Sequence, residues 1–343
     1  MVLHVFNPEH DLALAANLSN FTAPHAGRQL HGNLCWIPAI WAKAGELVLV
    51  DDVEEAQTAY RRLLHCCFDG FVEKRQLERL DIDHVKSWGW DLALRAFLLR
   101  YGVKPEACAT EADIATIREL SHRRTAVSVL SRIQREGTTG ESMLACSIPE
   151  IVELRQRWGK IVVKAPWSSS GRGIRFIGGE IDSYQNGWLQ NVIRRQGSVV
   201  VEPFYNKVKD FAMEFEIDES GKISCLGLSL FHTSNGAYTG NILAHEEEKR
   251  EMISRYVSTE LLDAVQQDII LSAGDIFQGN YKGPFGVDMM IVARPDGNGF
   301  LLHPCVEINL RRTMGHVALS LTGKGVMQVT YTDNHYKLKI IKV

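Results

Sequence analysis

Near its carboxyl end the chain carries Gly286-Val287-Asp288 at the start of one apolar run and Val306-Glu307-Ile308-Asn309 at the end of another. Glu307 and Asn309 lie two apart, so on a strand both side chains leave the same face. If the two runs pair, Asp288 faces them from the neighbouring strand. Two carboxylates and an amide oxygen make a hard-oxygen set suited to Mg²⁺, which completes its shell with phosphate oxygens and water. Arg311 and Arg312 follow directly, cations where a phosphoryl group in transfer needs its charge neutralised. A merely solvated polar face fits poorly, because Phe300, Leu301, Leu302, Val306 and Ile308 make this strand apolar.

A second group is Val162-Val163-Lys164-Ala165-Pro166-Trp167-Ser168-Ser169-Ser170-Gly171-Arg172-Gly173-Ile174. Small residues let backbone N–H groups approach phosphate oxygens, and Lys164 adds a point charge. This is not a Walker A loop, since Lys164 precedes the glycines and no G-K-[ST] closes them. Taken alone, a serine-rich hairpin turn explains the segment equally well. Further on, Val199-Val200-Val201 ends in Glu202-Pro203, a sensible hinge between lobes. After it, Asp210, Ala212, Glu214 and Glu216 alternate with Phe211, Met213, Phe215 and Ile217, giving one acidic and one apolar face.

In this order, the groups resemble the ATP-grasp superfamily, over roughly residues 120–320. The resemblance implies an ATP-grasp fold of class α/β, α+β in its C-terminal half, behind an N-terminal α/β pre-ATP-grasp domain. The units expected are 1–120, a central 121–204 with the small-residue loop, and 205–343 with the metal site. Carried over, Lys164 looks like the lysine on the nucleotide phosphates, and Ser168, Ser169, Ser170, Gly171 and Gly173 belong to the loop closing over them. Glu202 matches the hinge acid by the adenine, and Asp210 the ribose ligand. Asp288, Glu307 and Asn309 match ligands of magnesium (or manganese), and Arg311 the arginine of an E-x-N-x-R ending.

Two departures stand out. Members usually carry a lysine at the start of the central region; Ser121-His122-Arg123-Arg124-Thr125 offers arginines, of which Arg124 is the expected counterpart. Many ligases also place an arginine two before the first metal carboxylate, where this chain has Gly286. The resemblance implies an ADP-forming ligase that activates a small-molecule or peptide carboxylate with ATP for attack by an amine or thiol, in a family where many members are homodimers. A kinase acting on a hydroxyl is the alternative; a non-catalytic nucleotide-binding module is a third, against which the intact acidic set argues.

For the acceptor, the polar stretch 7–33 offers Glu9, His10 and Asp11, with His25, Arg28 and His31, although a capped loop packed on the first helix explains it as well. Residues 232–241, from His232 to Asn241, could line the same site or form an ordinary crossover loop. The tryptophans, Trp36, Trp41, Trp88, Trp90 and Trp158, lack the basic company of a nucleic-acid platform and read as packing.

The elements that must position these groups follow from periodicity. Strands are expected at 2–6, 46–50, 161–165, 174–177, 199–203, 211–217, 223–232, 285–293 and 300–309. Helices are expected at 54–67, 110–135 and 259–277, with a hairpin turn at 295–299. The 343 residues exceed what a single core absorbs, about 250–300. A net charge of −3 gives no electrostatic case for nucleic acid or an anionic membrane. Seven scattered cysteines without a C-x-x-C fit a reduced, cytoplasmic compartment. The opening residues do not read as a signal peptide, and no apolar run reaches the ~20 residues of a span.

Overall fold

The computed structural model describes residues 1–168, 173–234 and 237–342. Its strands form four four-stranded sheets. The first is parallel, in the order Phe71–Glu73, Leu47–Val50, Val2–Val5, His84–Ser87. The chain thus starts in the middle, winds one way and crosses back, leaving a switch point at the carboxyl ends of Val2–Val5 and His84–Ser87. Residues 7–33, expected as a polar loop, instead hold helices His10–Ala16 and His25–Leu34. One polar side chain here has a structural role: buried Asn7 donates to Gly89 O at 2.7 Å and to Asp91 at 3.0 Å, joining the two strand ends.

The second sheet is antiparallel: Met143–Ala145, Val199–Pro203, Ile161–Lys164, Ile174–Ile177. Ile161, Val163, Val199 and Val201 turn one face to the helices Ile148–Trp158 and Ser183–Gln196. By alternation, Val162, Lys164, Val200 and Glu202 turn the other way. The third sheet orders Ile223–Ser229, Lys207–Ile217, Gly283–Ala293 and Phe300–Asn309. Its apolar residues, Phe211, Met213, Phe215, Val287 and Met289 among them, share a core with helices Arg124–Arg132 and Thr259–Phe277.

The helix expected over 110–135 is broken. Glu111–Leu120 and Arg124–Arg132 are separate, with the chain turning at Ser121–Arg123. The strand expected over 223–232 is also split, at buried Leu230, into Ile223–Ser229 and Phe231–Ser234, which join different sheets. Within 232–241, the described residues belong to two antiparallel neighbouring strands, Phe231–Ser234 and Ala237–Leu243, rather than to a crossover loop. Phe231–Ser234 pairs in the fourth sheet with Ala237–Leu243, Gly325–Thr332 and His335–Ile341. Leu243, Met327 and Leu338 from this sheet share one core with Phe6, Trp36, Val48 and Tyr60, so the two ends of the chain pack together. No described helix is long and apolar enough to cross a membrane. All seven cysteines are free.

Candidate active site

Strand register builds the acidic face. Asp288 lies opposite Glu307 on one side and Ala212 on the other; two residues along, Gly286 lies between Asn309 and Glu214. Asp288, Glu307, Asn309 and Glu214 therefore leave one face of the third sheet. Asn309 Nδ2 donates to Asp288 Oδ2 at 3.2 Å. Burial, then repulsion from Glu307 and Glu214, pushes the Asp288 carboxyl up to about 8, against the pull of Arg311. That crowding fits a bound cation. Among the described residues no three His, Cys, Asp or Glu side chains are grouped to hold a metal, so such a cation would rely on Asp288, Glu307 and the free lone pair of the Asn309 amide oxygen.

Lys164 and Glu202 lie diagonally across their strand pair, and Lys164 Nζ donates to Glu202 Oε1 at 2.7 Å and to Val306 O at 3.3 Å. Both are buried. An ammonium has three donors, so one N–H of Lys164 remains for a ligand. The Val306 contact brings the lysine to the strand of Glu307. Ser168 and Gly173 close the mouth of the small-residue loop: Ala165 N donates to Gly173 O at 2.8 Å, and a Cβ on Gly173 would stand 2.2 Å from Ser168 Cβ. Only glycine fits there. Ser169, Ser170 and Gly171 lie outside the described residues.

Arg124 is not in this site. It is exposed and ion-paired with Glu119, while its neighbour Arg123 is buried against the loop. Arg123 NH1 donates to Ala165 O and, at 2.9 Å, to Ser168 Oγ; NH2 donates to Glu307 Oε1 at 2.6 Å. The reason is the helix break. Buried Ala126, Leu130 and Ile133 stand three, seven and ten residues after Arg123, which puts Arg123 on the inner side as the chain enters the second helix. Reading the break at Ser121 would have found it.

Arg311 is gripped from the front of the chain. Its Nε donates to Asp11 Oδ1 at 3.0 Å, NH2 to Asp11 Oδ2 and to Asn309 Oδ1 at 2.8 Å each, and NH1 to Arg312 O at 3.1 Å. Burial opposes its charge, but Asp11 outweighs that and holds the guanidinium above its ordinary range, while Arg311 likewise holds the Asp11 carboxyl below its own. Arg312 stacks on Trp41, its guanidinium carbon 4.5 Å from the ring centroid. Burial lowers the Arg312 pKa, opposed by Glu216. Of the other front residues, Glu9 pairs with His31 at 3.1 Å, and His10 is buried 3.5 Å from Asp91. Asp210 is tied to Lys207 at 2.6 Å.

Gly286 has a physical cause. A Cβ there would stand 2.5 Å from Glu214 Oε2 and 3.0 Å from Thr313 Cγ2. Glu214 is buried, accepts from Thr313 Oγ1 at 2.8 Å and lies 3.0 Å from His316 Nδ1. Its carboxylate fills the room an arginine side chain at 286 would need.

Comparison with solved structures decides what frame this is. A protein of Archaeoglobus fulgidus assigned to the ATP-grasp superfamily superposes with a TM-score of 0.51, at 14% identity over 100% of this chain and 99% of its own. The biotin carboxylase of Campylobacter jejuni, in a β-γ-ATP complex, gives 0.51 at 13% identity over 98% of this chain and 73% of its own. The fold is that of the ATP-grasp superfamily. No protein-family model matches the chain. In sequence, a stretch of 215 residues is similar to the [butirosin acyl-carrier protein]–L-glutamate ligase of Niallia circulans, 27% identical over 59% of this chain and 45% of the relative. The chain thus spans about half of that ligase's length.

Proposed function

We propose that this protein is an ATP- and Mg²⁺-dependent, ADP-forming ligase that activates a carboxylate as its acyl phosphate and passes the acyl group to an amine. One observation carries the reading: a single guanidinium, Arg123, touches Ser168 at the loop mouth and Glu307 on the acidic face. Phosphates under the loop and a cation on the acidic face would then be neighbours, as transfer of a γ-phosphoryl group requires. Support also comes from the likeness to a [butirosin acyl-carrier protein]–L-glutamate ligase. On this reading 1–120, 121–204 and 205–343 act as acceptor, loop and metal units.

Lys164, Arg123, Ser168 and Gly173 would hold the nucleotide phosphates, with Glu202 keeping Lys164 aimed. Asp288, Glu307 and Asn309 would hold Mg²⁺, which when bound neutralises phosphate charge. The protein's work is then positioning. The carboxylate oxygen attacks the γ-phosphorus and ADP leaves; the amine then attacks the acyl carbon, phosphate leaves with the C–O electron pair, and the amine loses a proton. Hydroxylamine tests this directly. With a panel of carboxylic acids, amino acids among them, an acyl phosphate is intercepted as a hydroxamate formed in step with ADP. A stable phosphate ester with no hydroxamate would mean a kinase instead.

A further inference from the structure

The two arginines that close the acidic strand do not have the same work available to them. A guanidinium has five N–H donors. Arg311 commits Nε, both protons of NH2 and one of NH1 to Asp11, Asn309 and the Arg312 carbonyl. Its two-pronged edge, the one that matches a carboxylate, is already filled by the Asp11 carboxylate. One N–H is left, too little for a squarely held anion.

Arg312 is the opposite case. Among the described residues its guanidinium has no hydrogen-bond or ion-pair partner within bonding distance, and its contact is the indole of Trp41. The backbone beneath is fixed, since Arg312 N donates to Trp88 O at 2.8 Å. Trp41 and Trp88 both belong to the front of the chain, so the first unit sets the place of this side chain. The ring covers one side of the guanidinium, and none of its N–H groups is taken by a described partner. Glu216 and Glu214 are near enough to favour its charge, yet neither reaches it. A guanidinium held over an aromatic ring and unpaired among the described residues, next in the chain to Arg311 and near Glu214 of the acidic face, is arranged for an anion brought from outside.

We propose that Arg312, stacked on Trp41, is the receptor for a carboxylate of the acid substrate, and that Asp11 is a positioning residue which keeps Arg311 from that task. This rests on the ligase reading for the identity of the anion. The stack costs little side-chain entropy at binding, because the guanidinium is already ordered. Lysine at 312 would keep the charge and lose both the fork and the flat stack.

The test separates the two arginines chemically. The intact protein is treated with phenylglyoxal, digested with a protease other than trypsin, and the labelled arginines are located by mass spectrometry. Arg312 labels several-fold faster than Arg311, and glutarate, used as a simple carboxylate probe against chloride of equal ionic strength, slows Arg312 alone. In D11N, Arg311 becomes as reactive as Arg312. Equal labelling of the two in the wild type, or no slowing by glutarate, overturns the proposal. Kinetics supply the second arm. In the hydroxamate assay, R312A and R312K raise the acid KM at least tenfold and leave the ATP KM unchanged, and W41L raises it several-fold. An unchanged acid KM in R312A overturns the assignment while the ligase reading stands. If the wild type forms no hydroxamate, the ligase reading fails, and glutarate protection alone decides whether Arg312 is an anion site.

Discussion

Asp11 and Arg311 stand 300 residues apart in sequence and meet as a bidentate ion pair, Nε to Oδ1 at 3.0 Å and NH2 to Oδ2 at 2.8 Å. The pair bolts the first helix of the chain to the end of the acidic strand. Both side chains are about one-fifth exposed, so water screens the pair only in part. Removing the carboxylate with D11A is expected to cost roughly 1–3 kcal/mol of stability. Urea denaturation followed by circular dichroism measures it; a loss within error would mean that the contact does not hold the two units together.

Arg123 and Arg124 differ in what they touch. R123A removes the link between Ser168 and Glu307 and is expected to reduce kcat/KM for ATP by about 10²-fold. R124A breaks only a surface pair with Glu119 and should stay within about twofold of wild type. Steady-state kinetics on both variants decide it, and an inactive R124A with an active R123A would reverse the assignment.

Asp288 makes stability depend on pH and on magnesium together. Its native carboxyl keeps a proton up to about 8, while the unfolded chain releases it near 3.8. Between those values the folded state binds more protons, so this group's contribution to stability falls as pH rises. Mg²⁺ favours the ionised form and should raise Tm more at pH 8 than at pH 6, an increment that D288N abolishes. Thermal melts with EDTA or Mg²⁺ at the two pH values supply the test. An equal increment at both, retained in D288N, would place the cation elsewhere.

Gly286 and Glu214 should behave as a coupled pair. G286A pushes a methyl against Glu214 Oε2, with an expected cost of about 1–3 kcal/mol. E214A in the same chain removes the obstacle, so the double variant should lose less than the sum of the singles. A double-mutant cycle by chemical denaturation reads the coupling; strict additivity would show that the two do not meet.

Much of this site is written locally. Strand alternation alone puts Glu307 and Asn309 on one face, and the apolar period of residues 259–277 marks the helix Thr259–Phe277. The strand of Lys164 and the hinge strand of Glu202 follow from short apolar runs between glycine-rich turns. What periodicity does not carry is contact between distant segments. Asp11 is visible as a polar residue in a front segment, but nothing local says that its partner is Arg311. Arg123 and Arg124 are equal in type, and the choice turns on a two-helix break that continuous apolar spacing hides. Glu214 belongs to an alternating acidic face, yet its place over Gly286 depends on strand register. The shared core of the first and last sheets is likewise a product of topology, since Leu338 and Phe6 meet only after the whole chain has wound.

Transfer of oxygen tests the central claim most directly. If the acid is phosphorylated on its carboxylate and the amine then displaces phosphate, one carboxylate oxygen leaves with the phosphorus. An acid labelled with ¹⁸O in its carboxyl group is incubated with ATP, Mg²⁺ and the amine, and the inorganic phosphate is examined by ³¹P NMR for the isotope shift. The account predicts one ¹⁸O in each phosphate released during product formation. Amide product accompanied by unlabelled phosphate, or by label in AMP, would contradict it.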